Sequence, residues 1–426
     1  MIRQAIKKGQ LYVNYLGPSS ALIGNLIATP ILISNLGLME WSLFALTSIL
    51  LPYIYLVLFG SSEILKREMI NIFLNNTKTK SSIYKFYKYE KRILIKFFPA
   101  LIFLSLLLIL FNSDNYISFK NIEFSFFLIS VVVSAKIFET FYSQTLSGLK
   151  QHYKLQIYSS IITILKWITI IYLSFLNEIH INYILFVLII FSLCLLTFQR
   201  ILISNIFEKK KLFFTNKITH ISPKLNENSF GLIIILIWAL QHFDKILIFG
   251  ILDSMQVSFF AIAFMICSAV MTIFLPVIAY LTPEIYEVVE LNNKNRKKIF
   301  YKIIFIQSTM MITILLIINL YLDNLLTIWL KNDINISEIS SFLIPLSIST
   351  LSISIINSLK ILFIAENVLI RIKKSVTLVF CLLIILTTCI HQNFISVNTY
   401  LYAWSISLLV LLIYCSFIFF NKNYKN

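Results

Sequence analysis

The sequence feature that most constrains the fold is a succession of long apolar stretches, six before a polar, lysine-rich break and six after it. A helix of about 20 apolar residues crosses the roughly 30 Å of hydrocarbon in a bilayer. Most of the stretches reach that length. The predicted spans are residues 11–35, 41–60, 93–112, 123–147, 155–176, 181–203, 230–252, 256–281, 299–320, 340–364, 375–391 and 398–420. The pattern predicts an all-α integral membrane protein with twelve transmembrane helices.

The amino-acid composition supports the same class. Hydrophobic residues make up 58% of the chain and charged residues only 13%, which lies outside the usage of soluble globular domains. The predicted spans take up most of the 426 residues. Little of the chain is therefore left for a separate soluble domain.

Lysine and arginine are distributed unevenly between the linkers. The linkers on one side, together with both termini, hold 28 of the 36 Lys and Arg, whereas the opposite linkers hold only Lys120 and Lys331. Cytoplasmic linkers of membrane proteins carry such an excess of positive charge. Both termini are therefore predicted to be cytoplasmic. The same bias explains the net charge of +17, so we expect contact with membrane lipids and no nucleic-acid partner.

The spans form two sets of six. We predict an N-terminal six-helix lobe at residues 1–208, a cytoplasmic linker at 209–229 and a C-terminal six-helix lobe at 230–426. A faint repeat relates the halves, because a shift of 216 residues superimposes four matching residues: Met39, Ser42, Phe44 and Ala45 on Met255, Ser258, Phe260 and Ala261. Six helices per repeat preserve orientation, so this 6+6 pseudo-symmetry predicts a substrate site between the lobes.

Ionised side chains within the spans are the strongest functional signal. Asp244 and Lys245 lie within one helical turn of the centre of span 230–252. An ionised group in hydrocarbon costs from about 3 to over 10 kcal/mol, so the pair implies water, a partner or a ligand. Trp238 and Gln241 lie close to it in the sequence. We therefore expect this helix to face a polar cavity.

The fourth span carries Lys136, Glu139 and Ser143 at i, i+3 and i+7, which places them on one helix face. Two interpretations of this stripe are open. Lys136 and Glu139 face a polar cavity, or they pair with each other one turn apart and have a structural role.

The fifth span carries Lys166 on a face with Ser159 and Thr163. No acidic residue lies within a turn of Lys166, so a local partner does not explain it. The first span adds Asn25 on a similar polar stripe. These stripes predict a shared polar interior. The remaining basic residues within the spans lie near cytoplasmic ends, where long side chains reach the interface: Lys96, Arg200 and Lys360.

At the start of the second half, the order of residues resembles that of a known family. The pattern is an acid followed by a base, a glycine, an aromatic-alanine step and two downstream prolines: Asp244, Lys245, Gly250, Phe260, Ala261, Pro276 and Pro283. The chain resembles the Wzx-type polysaccharide and O-antigen flippases of the multidrug/oligosaccharidyl-lipid/polysaccharide (MOP) exporter superfamily over its whole length. Phe260 stands where that family more usually has tyrosine.

The resemblance implies two lobes around a V-shaped, cationic central cavity. It implies translocation of undecaprenyl-diphosphate-linked oligosaccharide, an O-antigen repeat unit, from the cytoplasmic to the periplasmic leaflet of the bacterial inner membrane. The chain would then be a transporter and not an enzyme. Contact with the O-antigen polymerase machinery is a further expectation.

The predicted substrate-binding residues are Lys136, Lys166, Lys245, Asn25, Gln241 and Trp238, of which the lysines would screen the diphosphate. The candidates for ion coupling are Asp244 and Glu139, with protons and sodium both open. We expect no other cofactor, because the sequence lacks a phosphate-binding loop.

Two other functions remain as alternatives. A multidrug cation antiporter of the same superfamily would favour an acid-dominated cavity, whereas three central lysines favour an anionic ligand. A membrane glycan polymerase or ligase would usually need a large outward loop, and the longest predicted outward linker is only residues 321–339.

Overall fold

A computed structural model describes ten segments of the chain: residues 2–50, 79–113, 123–149, 151–176, 180–209, 254–290, 294–330, 335–365, 372–392 and 395–420. It also describes isolated positions at 58, 62, 65–66, 69–70, 232–233, 236–237, 239–240 and 251–252. The helices of these segments are α1 (Ile2–Leu50), α2 (Thr79–Ser113), α3 (Glu123–Gly148), α4 (His152–Ser174), α5 (Ile181–Lys209), α6 (Ser254–Glu290), α7 (Lys294–Leu320), α8 (Leu322–Leu330), α9 (Ile336–Ala365), α10 (Lys373–His391) and α11 (Val397–Phe420).

Eight helices in the described ranges are long and apolar enough to cross a membrane, or nine if α7 and α8, which meet at 71°, count as one broken span. Large apolar side chains point outward from them, as Ile328 does at 82% exposure. Such a surface suits hydrocarbon. The predicted all-helical, multi-pass membrane architecture is therefore confirmed. The count of twelve spans stays a prediction, because parts of spans 41–60 and 230–252 lie outside the described residues.

The chain divides into two compact units: residues 1–232 with 279–283, and residues 233–278 with 284–426. In the first unit, α1 packs along α4, and α3 lies against α2 and α5. In the second, α11 packs against α9 and α10, and α7 packs against α9. The lobe boundaries at 208 and 230 stay a prediction, since residues 210–231 are not described.

The first helix runs through the predicted break between its first two spans. Gly37 alone leaves the helical conformation, at φ 82° and ψ 162°, a region that a residue without Cβ enters readily. Beyond this kink, a Glu40 carboxylate oxygen accepts a hydrogen bond from the Ile181 N–H at 3.3 Å. Before it, the Asn35 amide donates to the Ser174 carbonyl at 2.7 Å. The kinked region therefore satisfies backbone groups at the ends of α4 and α5.

Two glycines let α1 and α4 approach closely. A Cβ on Gly24 would lie 2.0 Å from Trp167 Cδ1, and a Cβ on Gly17 would lie 2.0 Å from Gln156 Oε1. Small residues bring transmembrane helices together in this way, because van der Waals contact drives their association. This packing fixes the rotation of α4, and with it the direction of the neighbouring Lys166.

The predicted outward linker at residues 321–339 contains a short helix, α8, which the sequence analysis did not predict. Leu322, Leu326 and Leu330 are buried at intervals of four residues, and α8 packs against α9. This apolar stripe stabilises a helix of nine residues that its length alone would not support.

Candidate functional site

Three charged side chains come together near the middle of α3 and α4 in the first unit. Lys136 and Glu139, one turn apart on α3, form an ion pair. Lys166 on α4 lies close enough to interact electrostatically with both. Both helices are candidate membrane spans. The cluster therefore holds two bases and one acid, with one net positive charge, within membrane-spanning segments. We call it the first-unit cluster.

The Lys136–Glu139 pair of the first-unit cluster is partly exposed. The Lys136 and Glu139 side chains are 31% and 21% exposed, whereas Ile137 and Phe141 on the same helix are fully buried. Lys166 is half-buried, and its Nζ lies 4.6 Å from the centroid of the Trp167 ring, within the range of a cation-π interaction. Within the described residues, Lys166 makes no direct ion pair. Among the described residues, no carboxylate therefore neutralises this ammonium by direct contact.

The other predicted site residues are placed only in part. Asn25 is half-buried on α1. Trp238, Gln241, Asp244 and Lys245 lie outside the described residues. The structure thus brings together Lys136, Glu139 and Lys166 out of the predicted set, and the pairing of Lys136 with Glu139 is observed.

Sequence reasoning missed a second charged group in the same unit. Glu90 on α2 is buried, and its Oε1 accepts a hydrogen bond from the Tyr142 hydroxyl at 2.6 Å. The same oxygen lies 3.3 Å from Arg200 Nε on α5. The Arg200 side chain is 67% exposed. The helix α5 continues to Lys209, so Arg200 does not lie at the helix end that the sequence predicted. The group joins helices α2, α3 and α5. In the sequence, the one signal for this group is Glu90 itself, an acid surrounded by lysines.

The second unit contains a neutral hydrogen-bond network between α7 and α9, which sequence reasoning also missed. Gln307 Nε2 donates to Ser354 Oγ at 2.8 Å, and Ser358 Oγ donates to Gln307 Oε1 at 3.2 Å. Farther along, Asn319 Nδ2 donates to Ser347 Oγ at 3.1 Å. Uncharged polar groups of this kind hold membrane helices together. We call it the second-unit network.

An apolar groove of about 440 Å³ runs between α1 and α4. Ile23 and Ile27 line it from α1, and Ile164 and Trp167 line it from α4. The Trp167 ring therefore makes two kinds of contact: a cation-π interaction with the Lys166 ammonium, and part of the wall of the groove. Within the described ranges, no group of His, Cys, Asp and Glu side chains could hold a metal ion.

Searches by sequence found no matching family model and no matching curated protein. Solved structures do match. A structure described as protein A aligns with a TM-score of 0.65 and 14% identity, over 99% of this chain and 96% of that one. A MATE in the straight conformation aligns with a TM-score of 0.60 and 14% identity, over 96% and 94%. An inward-facing multidrug resistance MATE family transporter of the MOP superfamily aligns with a TM-score of 0.57 and 12% identity, over 95% and 96%.

These alignments span nearly the whole of each chain, but the identities are low. A likeness of this kind establishes the fold, and a fold alone does not establish a substrate. The fold that the predicted resemblance implies is confirmed, and membership of the superfamily stays a prediction. The chain is a multi-pass membrane protein with the fold of MATE transporters of the MOP superfamily.

Proposed function

We propose that this chain is a membrane transporter that moves an amphiphile with an anionic head group. The substrate class is lipid-linked oligosaccharide, carried from the cytoplasmic to the periplasmic leaflet of the bacterial inner membrane. The observation that carries the proposal is the first-unit cluster, in which Lys136 and Lys166 share the single acid Glu139 near the middle of two membrane spans.

The charge of the cluster favours an anionic ligand. Burying an ionised group in a membrane is costly, so such groups face water, a partner or a ligand. Glu139 neutralises one of the two lysines, which leaves one ammonium for an external anion. Ammonium groups bind phosphate as compact point charges, through hydrogen bonds strengthened by the charge of both partners. A diphosphate-linked head group fits this requirement.

The apolar groove supports an amphiphilic substrate. A lipid-linked sugar combines an anionic head with a long hydrocarbon chain, and the two parts need different surroundings. Trp167 lies between a cation and the groove of about 440 Å³, so a head group at Lys166 would have an apolar surface nearby for the start of its chain. This arrangement would also keep the head group oriented relative to the chain.

Transport of this kind needs an energy source or a substrate gradient. Glu139 remains a candidate for ion coupling through its pairing with Lys136, and Asp244 remains one by its position in the sequence. We leave proton and sodium coupling open. The charge of the linkers predicts that both termini are cytoplasmic. The proposed direction of transport comes from the resemblance to the polysaccharide flippases.

A multidrug cation antiporter is the second candidate, because one of the similar structures is a multidrug resistance MATE family transporter. The first-unit cluster argues against it, since a net positive charge repels a cationic drug. The two functions therefore predict opposite signs of substrate charge.

The proposal is tested by complementation of a bacterial strain that lacks its O-antigen flippase, with surface polysaccharide as the measurement. The wild-type chain should restore surface polysaccharide, and Lys136→Gln and Lys166→Gln should not, at equal levels of membrane protein. Lys154→Gln is the matched control, because Lys154 lies at the first turn of the same helix as Lys166. It should restore surface polysaccharide fully.

Resistance to lipophilic cations such as tetraphenylphosphonium, measured in the same cells, separates the two candidates. Restored polysaccharide without drug resistance supports the flippase. If the wild-type chain and both lysine variants confer drug resistance and none restores surface polysaccharide, the flippase proposal is wrong and the multidrug antiporter is favoured.

A further inference from the structure

We propose that Glu139 is an internal placeholder for the anionic group of the substrate. In the absence of substrate, the Glu139 carboxylate forms an ion pair with the Lys136 ammonium. When substrate binds, its phosphate group displaces the carboxylate from Lys136. This inference rests on the proposed function and adds to it a residue that determines specificity.

The arrangement of the three side chains is the first argument. Glu139 pairs directly with Lys136, whereas Lys166 interacts with both at longer range. The two lysines belong to neighbouring helices that pack together, so an anion bound at Lys136 lies within electrostatic range of Lys166 as well. The Glu139 carboxylate already holds this position at Lys136.

The exposure of the pair is the second argument. Side chains that are 31% and 21% exposed retain contact with solvent or ligand. A partly exposed ion pair is weaker than a sealed one, because water or a ligand competes for both charges. The Lys136–Glu139 pair can therefore be opened by a stronger anion, whereas a fully buried pair would resist separation.

A displaced carboxylate also has somewhere to go. Ser143 lies on the same face of α3, one turn beyond Glu139. Among the described residues, its hydroxyl donates one hydrogen bond, a long one of 3.4 Å, to the carbonyl of Thr140. A rotation of the serine side chain can offer this hydroxyl to the released carboxylate.

The placeholder sets a threshold for the ligand. A ligand must attract Lys136 more strongly than the Glu139 carboxylate does, and a phosphate or diphosphate group carries more charge and more acceptor oxygens than a carboxylate. Uncharged amphiphiles offer no such attraction. We therefore expect selection for phosphorylated amphiphiles, and removal of the placeholder should relax it.

The test measures the binding of geranyl diphosphate, a short prenyl diphosphate, to purified protein in lipid nanodiscs by isothermal titration calorimetry. Geraniol serves as the uncharged reference ligand. Glu139→Gln keeps the size of the side chain but removes the competing charge. This variant should bind geranyl diphosphate about fivefold more tightly than wild type, because the ligand no longer has to break a partly exposed ion pair. Geraniol binding should not change.

Glu40→Gln is the matched control, because it removes a carboxylate from the same unit without touching the first-unit cluster. Glu40 contacts the N–H of Ile181. Its substitution should leave the affinity for geranyl diphosphate unchanged. Should Glu139→Gln fail to fold, Glu139→Asp takes its place. The shorter aspartate side chain reaches Lys136 less well, so its carboxylate competes less with the probe. The Glu139→Asp variant should therefore bind geranyl diphosphate about twofold more tightly than wild type, less than the gain expected from removing the carboxylate.

The outcomes separate the inference from the proposed function. Wild type that binds geranyl diphosphate, with Glu139→Gln binding it no more tightly, overturns the placeholder and leaves the proposed function standing. Geranyl diphosphate binding no better than geraniol in every variant overturns both. Equal tightening by Glu139→Gln and Glu40→Gln would reduce the effect to overall charge and would also overturn the placeholder.

Discussion

The two compact units bury different kinds of polar side chain. The described part of the first unit buries Lys66 and Glu90 and holds Lys136, Glu139 and Lys166 half-buried. In the second unit, the buried polar side chains of the described residues are all uncharged: Ser258, Gln307, Ser347, Ser349, Thr350, Ser352, Ser354, Ser358 and Ser405. Both units therefore contain polar contacts between helices. Among the described residues, the fully buried charged side chains lie in the first unit, whereas Lys360 is half-buried in the second.

The difference between the units indicates which polar groups are associated with function. A serine or glutamine in a membrane helix needs only one or two hydrogen bonds, and a neighbouring helix supplies them. A lysine near the middle of a span is far more costly and calls for an anion or water. We therefore propose that the first-unit cluster binds substrate and that the second-unit network has a stabilising role.

The largest expected effect comes from reversing a charge in the first-unit cluster. Lys166→Glu changes its net charge from positive to negative, and a like charge facing a phosphate costs several kcal/mol, so transport should fall about a hundredfold or more. Lys166→Arg should keep partial transport, since the charge remains but the donor geometry changes. Lys154→Glu, on the same helix, is the control. Surface polysaccharide normalised to membrane protein is the measurement, and near-normal transport by Lys166→Glu would remove Lys166 from the site.

The next effect concerns packing in the same unit. Gly24→Leu places a side chain where Trp167 lies, and overpacking of this kind should cost about 3 kcal/mol. We expect a lower melting temperature in detergent and less protein in the membrane. Ile27→Leu, at an exposed position of the same helix, should have no effect. Equal stability of Gly24→Leu and wild type would mean that α1 and α4 do not approach as closely as described.

A smaller effect is expected in the second-unit network. Gln307→Leu removes the hydrogen bonds to Ser354 and Ser358 and should destabilise the protein by about 1 kcal/mol, since such bonds average about 0.6 kcal/mol in membranes. Transport per folded molecule should remain at the wild-type level. A loss of transport without a loss of stability would contradict the separation between the two units.

The smallest effect tests whether neutral polar groups in the first unit behave like those in the second. Ser125→Ala removes one hydrogen bond to Asn182 between α3 and α5, at about 0.6 kcal/mol. Ser105→Ala is matched to it, because the Ser105 hydroxyl donates to the Leu101 carbonyl of its own helix and, in the described part of the chain, to no other helix. Thermal melting should separate the two variants slightly, and transport should be unchanged in both. A transport defect in Ser125→Ala would extend the functional region beyond the charged residues.

Local patterns predicted the helices well. Hydrophobic length placed most spans within a few residues, because crossing a bilayer requires a fixed length of apolar chain. Two features depended on conformation and packing instead. The break in α1 reduces to a single positive-φ glycine, Gly37, and α8 is held by three leucines against α9.

The site was predictable where its contacts are local. Lys136 and Glu139 lie three residues apart, so helical geometry alone placed them together as one of two interpretations. The proximity of Lys166 to Glu139 depends on how α4 packs in the first unit, which spacing in the sequence does not give. The Glu90–Tyr142–Arg200 group joins residues on three helices and was invisible for the same reason.

The role of the two lysines is tested most directly by transport in reconstituted vesicles. The measurement is the rate at which a short-chain prenyl diphosphate disaccharide crosses the bilayer, per folded protein molecule. Lys136→Gln combined with Lys166→Gln should reduce the rate to that of empty vesicles, whereas Gln307→Leu should keep the wild-type rate. Crossing at the wild-type rate in the double lysine variant would contradict substrate binding by the first-unit cluster.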